Sequence, residues 1–369
     1  MGALLKGIRH NPLLWLVVFV PAVFLGHRLR PDAHTPLFFL SILAIVPLAA
    51  LLSHATESVA AKTGDSVGGL LNATLGNLTE LVIALTALRA GQYMLVKASV
   101  AGAIVTNSLF MLGMSFLLGG IKHHAQEFNR ASARLQAGLL FLATIALLVP
   151  SAVSDADSGG AAAFTQELSL GLSVMLIAAY GLGLLFSLKT HRELFGSAEH
   201  EDGGEAPWPL GVALFTLAGV TIGVALVSEI FVESVQGASI ALGMTPAFVG
   251  FIVVALVGAA AEIASAFSGA LKNRLDLSVG IALGSSAQIA LFVAPVLVLL
   301  SYVLGPSPMD LQFWPGAVVM MLIATLTAFL VTNSGRSAWF LGVLVVMVYL
   351  IFAMTLYLMP PRGNEHRVG

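Results

Sequence analysis

Long apolar runs separated by short polar breaks dominate the chain. Eleven runs lie near residues 11–27, 37–61, 66–88, 98–120, 135–152, 165–188, 208–230, 246–271, 277–302, 312–332 and 338–359. A helix that crosses a bilayer needs about 20 predominantly apolar residues. The pattern therefore predicts an all-α integral membrane protein of about 11 transmembrane helices. The first run follows Lys6 and Arg9, as a secretory leader would. No small-x-small cleavage pattern precedes Arg28, so the run is expected to remain as a helix.

Composition agrees with that pattern. Of the 369 residues 58% are hydrophobic and only 10% charged, with 17 Lys plus Arg against 19 Asp plus Glu. Soluble domains carry about 25% charge, so a cytosolic enzyme is excluded, and the chain is too apolar for disorder. The absence of Cys removes disulfide scaffolds, thiolate metal sites and cysteine catalysis. A net charge of −2 gives no sign of nucleic-acid binding.

The distribution of cations predicts orientation. With the N-terminus inside and sides alternating, the inside segments hold Lys6, Arg9, Lys62, Lys122, Arg130, Arg134, Lys189, Arg192, Lys272, Arg274 and Arg336. The outside segments hold only Arg28, Arg30, Arg89, Lys97, Arg362 and Arg367. The positive-inside rule then predicts a cytoplasmic N-terminus and an external C-terminus, in a bacterial-type inner (plasma) membrane.

The chain repeats itself. Residues 76–85 read GNLTELVIAL and residues 258–267 read GAAAEIASAF, each Gly-x-x-x-Glu inside an apolar span, 182 residues apart. Downstream, SVAGAIVTNSLF at 99–110 answers SVGIALGSSAQIALF at 278–292, and Gly102 and Gly284 keep the same offset of 182. Upstream, ATESV at 55–59 pairs with VSEIF at 227–231, which aligns Glu57 with Glu229. The predicted organisation is an N-terminal helix and loop (1–36), a first five-helix repeat (37–188), an acidic cytoplasmic linker (189–207) and a second five-helix repeat (208–369). Because five is odd, the second copy enters the membrane upside down. Secondary transporters build binding sites at the interface of such inverted repeats.

A carboxylate at mid-membrane is costly and marks function. At 1.5 Å per residue, Glu80 and Glu262 both fall near the bilayer centre. Asn77 is one turn before Glu80 and shares its face, with Asn72, Thr74, Gly76 and Thr79 nearby. Gly258 and Ser265 flank Glu262, and the following spans bring Thr106, Asn107 and Ser108, or Ser285, Ser286 and Gln288. An oxygen-only set suits hard cations such as Ca²⁺, which takes about 6–8 ligands. Two carboxylates cannot supply so many, so amide, hydroxyl or backbone oxygens, or waters, must help. Gly64, Gly68, Gly69 and Gly76 are positioned to loosen the third span and free carbonyls; small residues also allow close helix packing. Two ionised carboxylates balance one divalent cation. Once it leaves, they repel in low dielectric, and protonation relieves the repulsion. The same pair thus binds a divalent cation or two protons, but not both, which is the basis of antiport. His54, three residues before Glu57, is a candidate proton relay or pH sensor. Glu57, Glu229 and, behind them, Glu233 are further proton-pathway candidates.

These motifs resemble the calcium/proton antiporter family within the cation/Ca²⁺ exchanger superfamily. The similar stretches are HATESVAAKTGDSVGGLLNATLGNLTELVIAL at 54–85, GAAAEIASAFSGALKNRLDLSVGIALGSSAQIALF at 258–292, and SLKTHRELF at 187–195 before the acidic connection. The resemblance covers most of the chain from about residue 37. It implies one extra helix plus two inverted five-helix repeats, and alternating access in which Ca²⁺ leaves the cytoplasm against entering protons. The family's central glutamates carry over onto Glu80 and Glu262. Its supporting polar positions carry over onto Asn77, Asn107, Ser285 and Gln288, with Thr106 and Ser286 beside them, and its accessory acids onto Glu57 and Glu229. GAAAE lacks the Asn and Thr of the first copy, so ligation is expected to be asymmetric. No cofactor is implied; Ca²⁺ is cargo.

The alternatives are a Na⁺/Ca²⁺ exchanger of the same superfamily, or a proton antiporter for Mn²⁺, Na⁺ or K⁺. The former is expected to carry a GSNIFN-like pattern, where this chain has AGAIVTN and GSSAQ. An intramembrane enzyme is disfavoured because neither HExxH nor DDxxD occurs. A channel would not need proton-coupled carboxylates.

Overall fold

The computed structural model describes residues 12–63, 65–153, 161–191 and 207–359. Lys6, Arg9, Arg192, Arg362, Arg367 and nearly all of the acidic connection lie outside these residues.

Helices account for almost the whole described chain. A 3₁₀ turn, Pro12–Val18, leads into α1 (Phe19–Leu29), followed by α2 (His34–Lys62). The predicted third span is two helices, α3 (Asp65–Leu75) and α4 (Leu78–Arg89), separated at Gly76 and Asn77. Next come α5 (Tyr93–His123), α6 (Arg130–Val153), α7 (Ala161–Leu185) and α8 (Leu210–Leu242). The predicted eighth span is also broken: α9 (Pro246–Gly258) meets α10 (Ala260–Leu271) at 59°. The chain closes with α11 (Leu275–Leu304), α12 (Pro315–Thr332) and α13 (Trp339–Leu358). Among the described residues eight helices are long and apolar enough to cross a membrane, and the bent α9–α10 pair makes a ninth. The apolar stretch Leu13–Leu29 is shorter.

Many outward-facing positions are apolar: Phe215 is 83% exposed, Val303 81% and Ile240 77%. Such exposure suits lipid, where backbone groups must be satisfied within helices. The chain is an integral membrane protein. Where apolar surface is no driving force, helices associate through small residues and close contact. A Cβ on Gly102 would lie 2.1 Å from the carbonyl oxygen of Phe251, so α5 crosses α9 there backbone to backbone. Gly120 and Gly342 do the same for α5 against α13.

Local signals end the elements where turns are needed. Gly243 adopts φ +65 as the left-handed cap of α8, a conformation open to glycine at little cost. Thr245 then accepts a hydrogen bond from the Phe248 amide, with Pro246 in the first turn of α9. Proline suits that position because its missing N–H would be unpaired there anyway.

Two long helices, α2 and α8, pack antiparallel over most of their lengths. His34 lies against Gly237, the Phe38 ring stacks on Phe231 at 5.4 Å, and the Trp208 amide donates to Ser58 Oγ at 3.1 Å.

Loop contacts sort the chain into two ends. Strands β1 (Ala125–Glu127) and β2 (Arg336–Ala338) pair antiparallel. Gln126 Nε2 donates to Ala270 O at 3.0 Å and to Asn273 Oδ1 at 2.9 Å, and Lys122 Nζ donates to Leu271 O at 2.8 Å. The loops after α5, α10 and α12 thus share one end, the strand end. At the opposite end Lys97 pairs with Asp310 at 2.6 Å and Gln166 Nε2 donates to Tyr302 OH at 3.1 Å.

Candidate functional site

Both broken spans place a glutamate just after the break. Asn77, at φ −97 and ψ 33, leaves helical geometry, and α4 restarts with Glu80 as its third residue. Ala259, at φ −79 and ψ 6, ends α9, and Glu262 is the third residue of α10. Each carboxylate therefore sits at the positive end of a helix dipole, which favours negative charge. The breaks also take nearby backbone groups out of the continuous helical ladder.

The following spans bring neutral oxygens. In α5 the turn widens into a π segment over Thr106–Met111, and in α11 over Ile289–Val293, directly after Gln288. Such wide turns re-aim side chains and often accompany functional sites. Asn107 and Ser108 are buried here, as are Ser285, Ser286 and Gln288.

These side chains meet between the two halves of the chain. Asn107 Nδ2 donates to Ser285 Oγ at 2.9 Å, and Ser285 Oγ donates to Asn77 Oδ1 at 2.7 Å. Ser108 and Ser286 hydroxyls lie 3.2 Å apart. Glu262 stands near Glu80, and its side chain faces the Ser285 hydroxyl. Gly258 makes room for Glu80: a Cβ there would lie 2.9 Å from Glu80 Cγ. Gly76 faces Gln288, whose Oε1 would be 3.3 Å from an added Cβ.

Five sealed polar atoms of this cluster have no protein partner: Glu80 Oε1, Glu262 Oε2, Asn77 Nδ2, Asn107 Oδ1 and Gln288 Nε2. Native interiors leave few polar groups unpaired, and each such group calls for an explanation. Two carboxylates with a free amide oxygen fit a hard cation; the two free NH₂ groups fit as donors to carboxylate oxygens. Among the described residues no three His, Asp or Glu side chains converge, so neutral oxygens must complete any cation shell. A narrow cavity reaches Glu80 between Ala84, Ser99, Ala103, Ala255 and Ile289. Those positions lie toward the end where Lys97 pairs with Asp310.

Not every candidate reaches this centre. Thr74 turns its hydroxyl back to Leu70 O and Leu71 O, while Asn72 and Ser265 are exposed. Thr106 donates to Tyr349 OH at 3.3 Å instead of to the cluster. Glu57 is exposed and accepts from Ser53 Oγ at 3.2 Å. Glu229 and Glu233 are exposed on α8. His54 packs edge-on against Trp208, ring centroids 4.3 Å apart, with its Nε2 buried and unpartnered. Tyr349 was not legible as a site residue. It is buried in the middle of α13, its hydroxyl meets Thr106 and its ring lies 5.2 Å from Phe110, so it touches the π segment that carries Asn107. A tyrosine midway along an apolar span was the available signal.

Two broken spans, a π segment in the span after each of them and a buried oxygen-donor centre define an integral membrane protein of the exchanger class. The chain belongs to the sodium/calcium exchanger protein family, whose model matches residues 34–189 and 212–358. Within that family it resembles proteins named Ca²⁺/H⁺ antiporters. One, from Aphanothece halophytica, is 40% identical over 94% of this chain and 96% of its own length. Another, from Synechocystis, is 41% identical over 94% of this chain and 97% of its own. The solved structure of native YfkE is 36% identical, with a TM-score of 0.81 over 94% of this chain and all of that one.

Proposed function

We propose that this protein exchanges cytoplasmic Ca²⁺ for external H⁺ by alternating access. The observation that carries the reading is the pairing of Glu80 with Glu262. Each follows a helix break, each has a sealed and unpartnered carboxylate oxygen, and neutral donors lie between them. The names of the relatives at about 40% identity point the same way.

With both carboxylates ionised, one divalent cation is bound between them, helped by the free Asn107 Oδ1 and by carbonyls near the two breaks. Proton entry removes the charge that holds the cation. Two protons then replace it, and the Asn77 and Gln288 NH₂ groups steady the carboxylate oxygens. Ser285 keeps Asn77 and Asn107 in register, Ser286 and Ser108 support it, and Thr106 acts through Tyr349. His54 and Glu57 form the proton path near the strand end, and Glu229 and Glu233 the one nearer the other. The fold is read as one helix plus two inverted five-helix repeats, eleven crossings in all. The strand end is cytoplasmic and the C-terminus external.

The test is radiolabelled Ca²⁺ uptake into Na⁺-free proteoliposomes, with and without an imposed pH gradient. Gradient-driven uptake in the wild type, and its loss in Glu80→Gln and Glu262→Gln, is the expected result. Near-normal exchange in either variant sinks the glutamate assignment. Uptake that needs Na⁺ and ignores pH favours a Na⁺/Ca²⁺ exchanger, and competition by Mn²⁺ or K⁺ measures selectivity.

A further inference from the structure

The strand end gathers positive charge beyond what orientation requires. Six of the 17 Lys and Arg residues, Lys122, Arg130, Arg134, Lys272, Arg274 and Arg336, lie in the three loops that meet there. Only Glu127 and Asp276 oppose them in those segments, so six cations less two acids leave +4. The positive-inside rule needs cations on one side of the membrane; it does not need them on one fixed surface.

Here the surface is fixed. The β1–β2 ladder sets Glu127 opposite Arg336, and Arg336 Nε donates to Glu127 Oε1 at 2.9 Å. Arg130 packs beside Gly335, where an added Cβ would lie 3.0 Å from Arg130 Cβ, and its Nη2 donates to Asn333 Oδ1 at 3.3 Å. Lys122 and His123 both bond Leu271 O, the residue before Lys272. The Asn129 amide donates to Asp276, which ties the approach to Arg130 to the turn that carries Arg274. Of the six cations all but Arg274 are exposed.

A second observation sets the depth of this surface. Exposed apolar side chains adjoin it at the span ends: Ile121 at 64%, Trp339 at 48% and Phe340 at 56%. Aromatic rings at span ends sit at the level of lipid headgroups. The cations are thus held at the height of the phosphates, around a rigid strand pair, beside an apolar collar that suits acyl chains.

We propose that the strand-end surface is a binding site for the headgroup of an anionic phospholipid. Basic groups on membrane proteins recognise such headgroups by charge, within about a Debye length. The proposal does not depend on which ion the protein carries.

The experiment uses full-length protein in neutral detergent, mixed with equal phosphatidylcholine and phosphatidylglycerol, with retained lipid counted by native mass spectrometry. Wild type is expected to retain phosphatidylglycerol several-fold over phosphatidylcholine. Arg130→Gln/Arg134→Gln/Lys272→Gln is expected to lose that preference at an unchanged elution volume. Lys122 and Arg336, which hold the loops together, stay in place. If the triple variant does not fold, Arg134→Gln alone is expected to lower the preference, with Arg89→Gln at the opposite end as a control that keeps it. Equal retention of the two lipids by wild type, or an undiminished preference in the variants, overturns the proposal. Displacement of phosphatidylglycerol by millimolar inorganic phosphate overturns the lipid assignment, because the site would then read a free anion.

Discussion

Asn107 of α5 donates to Ser285 of α11 at 2.9 Å, and the same Ser285 hydroxyl donates onward to Asn77 at 2.7 Å. One hydroxyl therefore links side chains from both halves of the chain. Ser285→Ala removes a donor and an acceptor at once and leaves Asn107 Nδ2 and Asn77 Oδ1 buried and unpaired. A cost of about 1–3 kcal/mol is expected for such a loss. It is read as a lower midpoint of thermal unfolding in detergent and a raised KM for Ca²⁺ in uptake assays.

The proposed competition between cation and protons predicts a pH dependence with a definite sign. Lowering pH on the cation-loading side is expected to protonate the Glu80–Glu262 pair and raise the KM for Ca²⁺; raising pH is expected to lower it until both groups are ionised. With two protons displaced per cation, the steepest dependence is about a hundredfold per pH unit. Uptake measured over a series of pH values and Ca²⁺ concentrations checks this, and a KM flat with pH contradicts it.

Gly258 lies against the Glu80 side chain, and an added Cβ would come within 2.9 Å of Glu80 Cγ. Gly258→Ala is expected to displace Glu80 and reduce exchange about tenfold, an effect of about 1.4 kcal/mol. Gly280→Ala is the control, because nothing lies within 4 Å of a Cβ at that position. Initial uptake rates of the two variants at equal protein should separate clearly.

Tyr349 supports the wide turn of α5 through Thr106 and Phe110. Tyr349→Phe keeps the ring and deletes the hydroxyl, so a loss of about 0.6–2 kcal/mol is expected for one interhelical hydrogen bond in a membrane. A change in KM or in the pH profile for Ca²⁺ uptake, beside that modest loss of stability, marks Tyr349 as a positioning residue. A shift in stability alone assigns it to packing.

Gly102 and Gly284 share one repeat position but not one environment. Gly102 meets the Phe251 backbone at 2.1 Å, whereas the nearest atom to a Cβ on Gly284 is Gln136 Oε1 at 3.7 Å. Gly102→Ala is expected to cost about 1–3 kcal/mol by overpacking, and Gly284→Ala almost nothing. Fluorescence-detected size exclusion after heating measures both.

The chain alone specified the membrane class, the places of the helices and the repeated Gly-x-x-x-Glu. These depend on local hydrophobicity and spacing, which a linear pattern records directly. It also pointed to Gly76 as a weak point, where α3 ends and α4 is about to begin. The break after Gly258 was less legible, because three alanines, good helix formers, follow it where Asn77 follows Gly76 in the first copy.

Tertiary structure decided what the repeats mean at each position. Ser285 bridges both asparagines because α5 and α11 cross beside the break before α4, a contact between residues 178 and 208 positions apart in sequence. Glu57 stands five residues before the end of α2, near the strand end, while Glu229 lies nearer the other end of α8, as an inverted second copy would have it. Thr106 looks like a ligand in sequence, yet it turns to Tyr349. Hydrophobic pattern fixes which segments enter the membrane, because that depends on each segment's own transfer into lipid. Which polar atoms are partnered depends on the packing of distant helices, and only the assembled structure determines that.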